Sequence, residues 1–364
     1  MNNTLIVNIN SIYKNILNLR KLNKEIIFVV KGNIYGFGYS LIKHIDNHVD
    51  SYAVSSINEA KELRKYTIKN ILILSPVKYE YITDDDYIIY TISSITQLKY
   101  YILNHISNIN IAIKINTGLN RFGVDVLEIE EMFNLLDNSS FKVKDIYTHL
   151  ATTTSINNFD DINLSLNSFL NSLSKLKNYI DISNINIHFT DSAALLRLNV
   201  LDTSITSVRT GMFLLGLDPI SEIKDKKYTL HFPLKLETIV LDKHKIKKGM
   251  YYGYNKKSLL DMYICTIGIG YCDGMKKSWI EKNIIKSDFG NLKLLDVSMN
   301  TSIVEISEEI YSNISLLETK YTIFSNQEEL DYLASLANTS IEDILCGFNS
   351  LNNDIVYKEL INGN

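Results

Sequence analysis

The stretch IIFVVKGNIYGFGYS, residues 26–40, opens on five apolar residues, then places Lys31, then spaces glycines at 32, 36 and 38. An apolar residue at every position, on both faces, is the mark of a parallel strand covered by helices on each side. A lysine that closes such a strand breaks the pattern of burial, which asks for a chemical reason for its presence. The same texture recurs along the chain in SYAVSS (51–56), ILILS (71–75), YIIYTISS (87–94), IAIKINTG (111–118), DIYTHLAT (145–152), INIHFTDS (185–192) and TSVRTG (206–211). Amphipathic runs such as SINEAKELRKY (56–66) and NSFLNSLSKLKN (167–178) read as helices between the strands. Eight βα units predict an α/β fold, a (β/α)8 TIM-type barrel over residues 10–225.

From Tyr228 the pattern changes. Residues 228–257, 261–274 and 293–306 alternate or run apolar with no long helix between them, and predict a mainly β C-terminal domain. One helical pattern, NQEELDYLASLANTSIEDILCGF (326–348), interrupts it. The expected division is residues 1–227 for the barrel and 228–364 for the second domain.

Composition narrows the function classes. The 364 residues carry a formal charge of −4, with 46% hydrophobic and 21% charged residues, a globular balance. The mild negative charge argues against an electrostatic grip on nucleic acid. No apolar run is long enough for a membrane helix, so no membrane association is expected. Three cysteines, none in a C-x-x-C pair, make no disulfide framework. The opening MNNTLIVNINSIYKN lacks the basic and apolar segments of a secretory signal, so a cytoplasmic setting is the expectation.

In a barrel of this kind the chemistry sits at the C-terminal ends of the strands. Lys31, Lys114, His149, Ser192 and Arg209 all fall there. Each alone reads as a strand-end residue reaching solvent; five with one direction form a constellation. A partly desolvated lysine has a lowered pKa and can form a Schiff base with an aldehyde. Tyr35 and the backbone at Gly36 and Gly38 could approach a phosphate, although G-x-G alone is weak evidence. His44 and His48 are spaced i, i+4 but have no third ligand in view, and read as part of a packed or solvated helix; no metal is expected.

The segment VVKGNIYGFG resembles the cofactor-lysine segment of the alanine racemase family, the fold-type III pyridoxal-phosphate enzymes, usually VVKANAYGHG. Further matches follow in order: INSIYKNILNLRKL, YAVSSINEAKELR, IKINTGLNRFG, IYTHLAT, HFTDSAALLR, SVRTGMFLLGLDP, YYGY, IGIGYCDG and VSMNT. The resemblance implies pyridoxal 5'-phosphate as cofactor and an amino-acid substrate, with alanine first. Lys31 would carry the cofactor and serve as one catalytic base. Tyr252 would be the base on the opposite face, supplied by the partner of a homodimer with shared active sites. Arg209 would face the pyridine nitrogen, and because guanidinium donates and does not accept, that nitrogen would stay unprotonated and side reactions such as transamination would lose ground.

The same resemblance gives Tyr35 and Ser192 as cofactor-phosphate contacts, Gly211 as a further cofactor-binding residue and His149 as a neighbour of the ring. Arg121, Tyr271 and Met299 would bind or admit substrate, the last two from the partner, and Lys114 would be a carbamylated lysine. D-alanine for peptidoglycan would be the implied use. Departures from the family pattern include Asn116 and Asn300 for aspartates, Asp191 for asparagine, Thr210 for proline, and a C-terminal ILCGFNSLNNDIVY that lacks two arginines and a proline. Alternatives are a racemase of another small amino acid such as serine, a fold-related decarboxylase, or a non-catalytic cofactor-binding relative.

Overall fold

The computed structural model describes residues 2–137, 139–155, 159–198, 204–223, 225–348 and 352–359. The chain forms two compact units, residues 13–34 with 39–231, and residues 1–12 and 35–38 with 232–364. The first strand, β1 (Asn3–Asn8), belongs to the second of these.

The larger unit is the expected barrel. Its strands are β2 (Glu25–Val29), β3 (Ser51–Val54), β4 (Ile71–Ile73), β5 (Ile88–Ile92), β6 (Asn110–Lys114), β7 (Lys142–Tyr147), β8 (Asn186–His188) and β9 (Ser207–Thr210). They form one eight-stranded sheet in the order β8-β7-β6-β5-β4-β3-β2-β9, every pairing parallel. Near β8 and β9 the barrel is all but closed, with Thr206 N donating to Ile187 O at 3.0 Å. Ile27, Val29, Ala53, Leu72, Ile89, Ala112 and Tyr147 pack together inside it. The alternate residues Ile26, Phe28, Tyr52, Val54, Ile71 and Ile73 are equally buried. Two buried faces are why these strands read as unbroken apolar runs. Ser56 and Ser94 cap the helices Ile57–Leu63 and Ile95–Leu103 that follow β3 and β5.

The second unit holds an eight-stranded sheet in the order β13-β16-β15-β14-β17-β10-β1-β18. Its members are β10 (Leu234–Ile246), β13 (Met262–Ile267), β14 (Asn283–Ser287), β15 (Gly290–Val297), β16 (Ser302–Ile306), β17 (Lys320–Phe324) and β18 (Asn353–Lys358), with β1. A small hairpin, β11 (Tyr251–Tyr252) and β12 (Lys256–Lys257), stands apart from it. All pairings but β1–β18 are antiparallel, and β10 also pairs with β13, which curls the sheet.

The structure divides the single helical pattern over 326–348 into Gln327–Leu336 and Ile341–Gly347. Asn338 takes a left-handed φ of 50° between them, and Ser340 starts the second as its N-cap. Residues 349–351 of the C-terminal motif lie outside the described residues. Among the described residues no helix is long and apolar enough to cross a membrane, and no group of three metal-ligating side chains could hold an ion.

Candidate active site

Lys31 follows β2, next to Val30, whose amide makes the last rung to Ala53 O at 2.8 Å. The backbone then turns left-handed at four successive residues, with φ of 64° at Gly32, 52° at Asn33, 56° at Ile34 and 52° at Tyr35. For a β-branched residue such as Ile34 that conformation is strained, at roughly 1–2 kcal/mol. Such strain persists only where the surroundings enforce it.

Arg209 lies in β9, the eighth barrel strand, with its guanidinium buried. One Nη donates to Thr148 O at 2.8 Å and stands 3.5 Å from His149 Nδ1. The other donates to His188 Nδ1. The guanidinium lies 4.8 Å above the Tyr147 ring, which itself stacks on His188. His188 Nε2 is 3.2 Å from Asp145 Oδ1, both groups buried. Burial pushes His188 down to about 4 against the pull of Asp145, so its imidazole is neutral near pH 7. Its Nδ1 therefore accepts from Arg209 while Nε2–H donates to Asp145. The orientation of Arg209 is set by His188, backed by Asp145, and by the Thr148 carbonyl. Asp145 and His188 were absent from the sequence-derived constellation. Their signal is a carboxylate just before the apolar Ile146 and Tyr147 of β7 and an imidazole between Ile187 and Phe189 at the end of β8.

His149, just past β7, is pushed down to about 3 by burial and by the cations Arg209, Arg121, Lys114 and Lys31. Its Nε2 is 3.9 Å from Asp191 Oδ2. That contact does not offset four positive charges, and the ring is neutral.

Lys114 ends β6 and is buried. Burial, Arg121 and Arg209 together push its amine down to about 8. The exposed Arg121 sits in the loop that follows, which Asn116 organises. The Asn116 side chain accepts from Gly118 N and Asn120 N and donates to Asn120 and Asp125. Asparagine thus does with its amide what the expected aspartate could do only as an acceptor.

Ser192 and Gly211 follow the seventh and eighth barrel strands, where phosphates bind in this architecture. Ser192 Oγ accepts from Phe213 N at 3.0 Å and lies 2.7 Å from Thr210 Oγ1. Thr210 thus adds a hydroxyl to this corner. Asp191 does not confront the corner with a bare charge. Its oxygens accept from Ala194 N at 2.8 Å and Thr153 Oγ1 at 2.7 Å, and burial raises its pKa.

Tyr252, Tyr271 and Met299 are in the other unit, as is Tyr35. The half-buried Tyr252 packs on Ile246, Ile264 and Leu295 with Met262 and Ile303. The turn after it needs Gly253, whose φ is 62° and where a Cβ would lie 2.1 Å from Asp296 Oδ2. Tyr254 N donates to the same carboxylate. The exposed Tyr271 and Met299 are brought together by hydrogen bonds from Tyr271 N to Ser298 O and from Cys272 N to Met299 O.

The barrel rim thus gathers an amine on a constrained turn, a fixed buried guanidinium, a neutral imidazole and a hydroxyl-lined corner. Such a set could hold an aromatic aldehyde carrying a phosphate: the amine can condense with a carbonyl, the guanidinium can donate to a ring nitrogen, and the hydroxyl corner can meet phosphate oxygens.

Comparison with known proteins agrees with this class. The family model for the alanine racemase N-terminal domain matches residues 7–219, and that for the alanine racemase C-terminal domain matches residues 233–356. The alanine racemase of Streptococcus agalactiae is 31% identical over 261 residues, covering 69% of each chain. That of Borreliella burgdorferi is 28% identical over 379 aligned positions, covering 95% of this chain and 94% of its own. The solved alanine racemase of Bacillus anthracis with bound L-Ala-P superposes with a TM-score of 0.88 at 24% identity, covering 100% of this chain and 96% of that one. An alanine racemase from Bartonella henselae with covalently bound pyridoxal phosphate has a TM-score of 0.83 at 21% identity, covering 98% and 100%. At such identities the structures show the fold. The chain is a pyridoxal-phosphate-dependent isomerase of the amino-acid racemase class. It belongs to the alanine racemase family.

Proposed function

We propose that the chain interconverts L-alanine and D-alanine by a two-base mechanism in a homodimer, in the cytoplasm, and so supplies D-alanine for peptidoglycan. The observation that carries the reading is Arg209, buried and fixed by His188 and Thr148 on the rim that also presents Lys31. When bound through Lys31, pyridoxal phosphate supplies an electron sink that acidifies the substrate's α-hydrogen. Arg209, which can only donate, would leave the ring nitrogen unprotonated, so that the sink would stay weak and return of the proton would be favoured. Ser192, with Gly211 beside it, would hold the phosphate. The neutral His149 would flank the ring. Lys31 Nζ takes or returns the proton on one face, and the phenol oxygen of Tyr252 from a second copy does so on the other. Arg121 receives the substrate carboxylate, and Tyr271 and Met299 of the second copy narrow the approach. Lys114, uncharged more readily than an ordinary lysine, can add carbon dioxide, and the resulting carboxylate would steady Arg121.

The second copy is supported by the surface around Tyr252. Met250, Tyr251, Tyr254, Leu259 and Leu260 are 48–81% exposed on and beside the β11–β12 hairpin, an apolar patch that calls for a partner. Burial and the carboxylate of Glu281 also raise the Tyr252 phenol within one chain. A base needs that effect reversed, and the cationic rim of a second barrel would reverse it.

The test is formation of D-alanine and α-proton exchange from L-alanine, with L-serine and other L-amino acids beside it. Loss of both signals in Lys31→Ala, and loss of turnover with cofactor absorbance retained in Tyr252→Phe, is expected. Exchange without any D-isomer would sink the two-base reading in favour of another reaction on the same cofactor.

A further inference from the structure

We propose that Glu59 is the positioning residue for Lys31. This rests on the reading that Lys31 carries the cofactor. The ladder between β2 and β3 ends with Val30 N donating to Ala53 O at 2.8 Å, one residue before the lysine. One residue after it, Gly32 N donates to Glu59 Oε1 at 2.7 Å. Lys31 is therefore bracketed: its preceding amide is held by the sheet and its following amide by a carboxylate.

Glu59 sits in the first turn of the helix Ile57–Leu63, in the βα unit next to that of Lys31. Its second oxygen accepts from Ser55 N at 2.7 Å, Ser55 Oγ at 2.8 Å and Ser56 N at 3.2 Å. A capping box requires only the bond to Ser56 N, which Ser56 Oγ answers by accepting from Glu59 N. The bond to Gly32 is outside that motif and joins two neighbouring strand ends. It also acts where the backbone enters its left-handed run at Gly32, Asn33, Ile34 and Tyr35. A conformation unfavourable for Ile34 and Tyr35 needs an external tie, and a carboxylate accepting main-chain N–H bonds is a strong one.

Two variants separate the tie from the cap. In Glu59→Gln the amide has one acceptor oxygen and two donors, so it cannot serve both Gly32 and the Ser55–Ser56 amides. Ser56→Ala removes the Ser56 side chain from the cap and leaves the Gly32 acceptor in place. Hydrogen exchange is measured on full-length protein freed of cofactor, on the peptide holding the Gly32 amide. We expect Glu59→Gln to speed exchange there by about tenfold or more and Ser56→Ala to leave it near wild type. With pyridoxal phosphate, Glu59→Gln should lower kcat by about tenfold with little change in KM, and slow borohydride-trapped labelling of Lys31. If Glu59→Gln does not fold, Glu59→Asp takes its place, since it keeps the charge but shortens the reach to Gly32. Unchanged Gly32 exchange, or equal acceleration in Ser56→Ala, overturns the proposal. Borohydride label on a lysine other than Lys31 overturns the cofactor reading instead, whatever Gly32 does.

Discussion

Arg209 shows how far one residue's role depends on side chains distant in sequence. Its charge is buried, and burial alone lowers its pKa, yet Tyr147, Asp191 and Asp145 pull the other way. His188→Leu removes the acceptor for one Nη and leaves Asp145 without its donor. A loss of about 3 kcal/mol is expected from breaking such a buried polar chain, read as a shift in the urea midpoint at constant slope. Arg209→Glu should raise transamination by providing an acid beside the ring nitrogen; pyruvate release during turnover of alanine measures it, and an unchanged yield would remove Arg209 from that role. Arg209 and His149 were legible as strand-end polar residues. Asp145 and His188 were not, because a polar residue inside a strand is equally compatible with a solvent-facing pleat until the barrel closes over it.

At the scale of elements, the two βα ends that bear Lys31 and Glu59 and the β11–β12 hairpin that bears Tyr252 are held by different means. The first uses main-chain hydrogen bonds to a carboxylate, and the second a glycine turn seated on Asp296. Gly253→Ala meets both a positive φ and the Asp296 carboxylate, and should cost about 1–3 kcal/mol of local stability. We expect kcat to fall while cofactor absorbance persists; lost absorbance would mean the hairpin's role is not confined to the base. The barrel strands and the helices over 57–63 and 159–176 were legible, the second only in its C-terminal half, since continuous apolar runs and amphipathic segments are local patterns. The break at Asn338 and the strand β1 were not. A single left-handed residue leaves no periodic trace, and β1 gains its rungs only from β10 and β18, more than two hundred residues away.

For the whole molecule, acid sensitivity follows from two imidazoles. His149 and His188 bind no proton in the folded barrel until about pH 3 and 4, whereas in the unfolded chain they titrate near the ordinary 6.5. Between about 6.5 and 4 the unfolded state holds more protons, so stability falls as pH falls through that window. Lys114 acts in the same sense at higher pH. Its folded value of about 8 against the ordinary 10.5 makes stability rise across that interval. Urea midpoints from pH 4 to 10 test both, and His149→Gln should flatten the acid limb. The dimer is tested by mixing Lys31→Ala with Tyr252→Phe chains. Shared sites should restore about a quarter of wild-type activity, since half the dimers are mixed and each has one intact site. No recovery on subunit exchange would place both bases in one chain.

The sequence by itself determined the barrel, the β character of the second unit, and the motif order that identifies the family. Each of these is written in local periodicity or in short stretches of contiguous residues. Only the tertiary structure decided that β1 joins the antiparallel sheet, that His188 and Asp145 stand behind Arg209, and that Glu59 reaches the residue after Lys31. Those relations depend on strand register and on which side chains the closed barrel sets side by side. Register is fixed by packing across the whole sheet, and no short window of sequence contains it.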